Sequence, residues 1–152
     1  MILDYDDELT YTAGPPATSK QSIVGTAGTA IIGGKVKNAN AARDWGAGEL
    51  LTAYVRVVTA LVGASGGVQF DIVGADNAGL TTNPVVLATR TIAAASLTIN
   101  TVFSLPCTMA GSKKQYLGVK ITPLTSNSTA GEVIVGFFGD KDARPQDNVN
   151  AL

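Results

Sequence analysis

Leu51-Thr52-Ala53-Tyr54-Val55-Arg56-Val57-Val58-Thr59 decides the fold. Leu51, Ala53, Val55, Val57 and Thr59 alternate with Thr52, Tyr54, Arg56 and Val58. Successive side chains of a strand point to opposite faces, so this pattern predicts a strand with one face buried. Three further stretches repeat the pattern. Val68, Phe70 and Ile72 alternate with Gln69, Asp71 and Val73; Leu117, Val119 and Ile121 alternate with Tyr116, Gly118, Lys120 and Thr122; Val133, Val135 and Phe137 alternate with Ile134, Gly136 and Phe138. Their Val, Ile, Thr, Phe and Tyr residues are the types that fit a pleated surface.

Shorter extended stretches are expected at Ile2–Tyr11, Ser19–Val24, Ala30–Ile32, Val85–Ile92 and Leu97–Leu105. Turn chemistry separates the strands. Gly63-Ala64-Ser65-Gly66-Gly67 reads as a short hairpin loop, Asp76-Asn77-Ala78-Gly79 as a turn, and Thr125–Gly131 as the link before the last strand. Helix signals are confined to Ala39–Ala42 and Ala93-Ala94-Ala95, both too short to be stable alone. Eight or nine short strands punctuated by turns predict an all-β sandwich or barrel.

The chain has 152 residues, 45% of them hydrophobic and only 15% charged, which suits a folded domain and not a disordered one. One domain is expected over residues 1–139, its first twelve residues an acidic strand, followed by a polar tail over 140–152. Asp4, Asp6, Asp7 and Glu8 give the first ten residues a charge of −4 against a net charge of −1 for the whole. Neither this balance nor the lone basic pair Lys113-Lys114 resembles a nucleic-acid footprint, which needs clustered Lys and Arg. Met1-Ile2-Leu3-Asp4 opens without the basic residues of a secretory signal, and no apolar run nears the ~20 residues of a membrane helix. Synthesis in the cytoplasm, without membrane association, is the expectation.

Catalytic chemistry is poorly supplied. There is no histidine, the commonest general base and triad member. The single cysteine, Cys107, can form neither an intrachain disulfide nor a zinc cluster, and its apolar neighbours suggest a small buried hydrophobe. Gly25–Lys35 is glycine-rich but lacks the phosphate-loop spacing: Thr29 stands where the first glycine belongs, and Val36 follows the lysine. Asn127-Ser128-Thr129 matches a glycosylation sequon and reads as a turn. Asp4, Asp6 and Glu8 alternate along the first strand, where they suggest a charged edge or a docking contact more than an acid pair. No catalytic residue, metal or cofactor is expected.

Ala41-Ala42-Arg43-Asp44-Trp45-Gly46-Ala47-Gly48-Glu49-Leu50, followed by a strand, resembles a segment of the tailed-phage capsid cement (decoration) proteins of the jelly-roll type. The acidic opening strand, the Ala130-Gly131-Glu132-Val133 start of the last strand and the polar tail after Asp140 are similar in layout. The resemblance implies a jelly-roll β-sandwich of about eight antiparallel strands with extended terminal segments. It implies a structural virion protein on the outer capsid surface that bridges neighbouring major capsid proteins, often as a dimer. Candidate capsid or dimer contacts are Asp4, Asp6, Glu8, Arg43, Asp44, Trp45, Asp142 and Arg144. Two other functions compete: a ligand- or carbohydrate-binding jelly-roll module of a phage head or tail, and a hydrolase using the N-terminal acids. Aromatic residues are only 6% of the chain, few for a sugar-binding platform.

Overall fold

The alternation over Leu51–Thr59 lies within the longest strand among the described residues. The computed structural model describes residues 20–33, 37–38, 50–108 and 114–138. Within them run β1 (Gln21–Ser22), β2 (Ile31–Ile32), β3 (Lys37–Asn38), β4 (Leu50–Gly63), β5 (Val68–Ala75), β6 (Val85–Ile92), β7 (Val102–Thr108), β8 (Tyr116–Pro123) and β9 (Ser128–Phe138). A 3-10 turn at Ala94–Ser96 is the sole helical element among the described residues. Every pairing among these strands is antiparallel.

The strands form two sheets. One has the order β1-β9-β4-β7; the other has β2-β8-β5-β6, with β3 sharing the β8 edge with β2. The chain changes sheet between β1 and β2, β3 and β4, β4 and β5, β6 and β7, β7 and β8, and β8 and β9. Such interleaving of two layers is the jelly-roll order. The protein is an all-β sandwich, as its patterning predicts.

The alternating sets meet in the middle. Ala53, Val55 and Val57 of β4 and Val133 and Val135 of β9 pack in one buried cluster with Phe70 and Ile72 of β5 and Leu117, Val119 and Ile121 of β8. A Val, Leu, Ile or Phe side chain, fully buried, stabilises the fold by about 1.5–3 kcal/mol. Cys107 lies in the same cluster, as its apolar neighbours suggest. Val73 and Ala75 point away from this core by strand parity, yet they too are buried. Leu80, from the β5–β6 loop, folds over them, and Tyr116 packs alongside.

Three local expectations change. Gly63–Gly67 is not a hairpin loop: β4 pairs with β7 and β9, β5 with β6 and β8, so the segment crosses between sheets. Leu97–Leu105 is not one strand. Thr101 N donates to Thr98 O, Asn100 takes a φ of 66°, and the strand begins at Val102. Ser128 lies inside β9, not in a turn, because its backbone pairs with Gly63 and its hydroxyl is buried. β3 is a short strand that the sequence pattern does not announce. The expected strand Ile2–Tyr11 and the tail 140–152 lie outside the described residues.

Candidate interaction surfaces

One end of the sandwich is a set of loops bonded to one another. Ala64 N donates to Asn127 O at 3.0 Å, Gly66 N to Leu124 O at 3.3 Å, and Gly28 N to Pro123 O at 2.9 Å. Ser65 N donates to Ser126 Oγ at 2.9 Å, and Ala27 N to Asn127 Oδ1 at 3.0 Å. Ser128 anchors this end. Its hydroxyl donates to Ile23 O and accepts from Gly25 N at 2.9 Å. Gly67 is required here: its φ is +87°, and a Cβ would collide with the Ile92 carbonyl.

The outer face of the five-stranded sheet carries a polar group around Asp71, beside the exposed aliphatics Val86 and Ile32. Asp71 stands in register between Lys120 of β8 and Thr89 of β6. Its carboxylate accepts from Thr89 Oγ1 at 2.5 Å and from Gln69 Nε2 at 2.9 and 3.0 Å. In the neighbouring loop, Lys114 Nζ lies 3.1 Å from Asp76 Oδ1, and Asn83 Nδ2 donates to Asp76 Oδ2 at 2.9 Å. The Asn83 hydrogen bond, with that of Lys114, holds the Asp76 carboxyl below its ordinary range.

The outer face of the four-stranded sheet differs. Arg56 of β4 is in register with Val102 of β7 and Ile134 of β9, and Tyr54 with Ser104 and Gly136. Val102 is 44% exposed, Arg56 is exposed, and Tyr54 and Ile134 are half-buried. Arg56 Nη2 reaches Asn100 Oδ1 at 3.4 Å. Glu132 on this face accepts from Thr59 Oγ1 at 2.7 Å and pairs with Lys20 Nζ at 3.4 Å. The Thr59 hydroxyl, with the Lys20 charge, holds the Glu132 carboxyl below the usual carboxylate range.

Asp76 and Glu132 are engaged by donors that favour their ionised forms, the reverse of a general acid. Burial pushes the Cys107 thiol up, away from the reactive thiolate. Among the described residues there is no group of three or more His, Cys, Asp or Glu placed to hold a metal. Among them, no helix is long and apolar enough to cross a membrane.

The candidate contacts Asp4, Asp6, Glu8, Arg43, Asp44, Trp45, Asp142 and Arg144 all lie outside the described residues, so their mutual placement does not enter this surface. The sequence pattern alone does not single out Arg56 as a surface feature. Its outward position is legible in the β4 alternation, but its flanking aliphatics come from β7 and β9, which only the pairing brings beside it.

Fold and surface define an antiparallel jelly-roll sandwich whose outer faces both mix charged and aliphatic side chains, one centred on Asp71 and Lys120 and the other on Arg56 and Tyr54. The Bbp16 family model matches residues 18–137 of the chain. The protein therefore belongs to the Bbp16 family, a phage-associated family. No curated protein matches it.

Proposed function

We propose that this protein is a structural component of a phage virion, that it binds the outside of the capsid, and that it cements neighbouring major capsid proteins. The observation that carries this reading is a jelly-roll sandwich in a chain of a phage-associated family. The resemblance of Ala41–Leu50 to cement proteins supports the finer role. A cement protein needs a rigid body and a surface that meets its neighbours. Here two sheets share one core, and their strand ends are bonded loop to loop.

On this reading the protein is not an enzyme and needs no cofactor. Its partner is the major capsid protein, with a second copy of itself on the shell; it contacts neither nucleic acid nor membrane. It is made in the host cytoplasm and resides on the outer capsid surface. Many identical contacts of modest strength then add up through multivalency. Mass spectrometry of purified virions is the test. A peptide signal in fixed ratio to the major capsid protein supports the role, and absence from intact virions contradicts it.

A further inference from the structure

We propose that the outer face of the four-stranded sheet, centred on Arg56, is the surface that seats on the shell, and that it receives a protein surface presenting a carboxylate within an apolar rim. This rests on the capsid-binding reading above and names the face that performs it.

Charge complementarity singles out this face. Arg56 stands in a cross-strand row between Val102 and Ile134, with Tyr54 two residues along on the same side. Its hydrogen bond is a long one, 3.4 Å, to a neutral amide oxygen. Among the described residues, the carboxylate on this face is that of Glu132, and it is already held by Lys20 and Thr59. The other sheet is balanced across its outer face, where Asp71 and Lys120 are register partners. A guanidinium offers five donors in a planar fork that matches a carboxylate bidentately. Arginine and tyrosine beside aliphatic side chains are the residues that dominate interface energetics. In water, Arg56 gains little from a partner; seated against a carboxylate and sealed by Val102 and Ile134, the pair is desolvated and discriminates strongly between partners.

The experiment uses the full chain and purified expanded capsids lacking it. Wild type, Arg56→Glu and Lys120→Glu, the last reversing a charge on the opposite face, are compared by co-sedimentation after circular dichroism and thermal melting confirm folding. Arg56→Gln serves where charge reversal disturbs the fold. Wild type and Lys120→Glu should bind alike, while Arg56→Glu should raise the half-saturation concentration roughly tenfold or more. If Arg56→Glu binds as wild type does, the face is wrong. If it binds normally but changes the oligomeric state by light scattering, a second copy covers the face and the proposal is overturned. Wild type failing to bind would overturn the capsid reading itself.

Discussion

Arg90 of β6 donates from Nη1 to the backbone oxygen of Ser104 of β7 at 2.7 Å, and its guanidinium carbon lies 5.6 Å from the centroid of the Phe103 ring. β6 and β7 belong to different sheets. One side chain therefore ties the two layers along the side where they have no backbone ladder between them. Arg90 is the only charged residue of edge strand β6, and it makes both contacts while remaining exposed.

Replacing Arg90 by Met keeps much of the stem and removes both interactions. The loss should be about 1–2 kcal/mol, from a charge-assisted hydrogen bond and a cation–π contact at a partly solvated site. Urea denaturation should show a lower midpoint with an unchanged slope. An unchanged midpoint would mean that the tie between the sheets contributes nothing.

Ser128→Ala should cost about 1–3 kcal/mol, because Gly25 N–H and Ile23 C=O both lose the buried hydroxyl that joins them. Hydrogen exchange should locate the effect: the Gly25 amide should exchange faster while the core amides of Val119 and Ile121 keep their relative protection. Uniform acceleration would place the role of Ser128 elsewhere.

The glycines offer an internal comparison. Gly28 has a φ of +75° and open space for 4 Å around the position a methyl group would take, whereas a Cβ at Gly67 would strike the Ile92 carbonyl. Gly28→Ala should cost only the left-handed backbone penalty, about 1–2 kcal/mol. Gly67→Ala must add a backbone clash to that penalty, so its melting temperature should fall clearly further. Equal effects would contradict the close approach of the β4–β5 crossover to the end of β6.

The strand faces were legible in the sequence because burial toward the shared core follows the alternation along β4, β5 and β8. Ala53, Val55, Phe70, Ile72, Val119 and Ile121 are all inward. The crossover at Gly63–Gly67 was not legible, since a hairpin and a sheet-to-sheet connection use the same turn residues. Leu97 and Ile99 look like strand residues. Instead Leu97 is buried beside a 3-10 turn, and Ile99 is 62% exposed on the loop that follows. The two-residue strands β1, β2 and β3 are too short to show a period. Arg56 illustrates the limit for the candidate site. Its own strand shows its face, but its neighbours in register lie 46 and 78 residues away along the chain.

Acid should act through Glu132. Its folded-state carboxyl titrates below its unfolded value, chiefly through the Thr59 hydroxyl. The stabilisation is complete above the unfolded value and is lost as pH falls through the lowered one. Thr59→Val should therefore move the Glu132 titration upward by NMR and narrow the stability gap between neutral and acid pH. A Glu132 titration unchanged in Thr59→Val would contradict the assignment.

Binding of purified protein to expanded capsids that lack it measures the cementing role itself. Binding should saturate at a fixed number of copies per major capsid protein, and the loaded shells should resist thermal or osmotic disruption better than bare ones. Shells that take up no protein, or that take it up without saturation and gain no resistance, would contradict a cementing role.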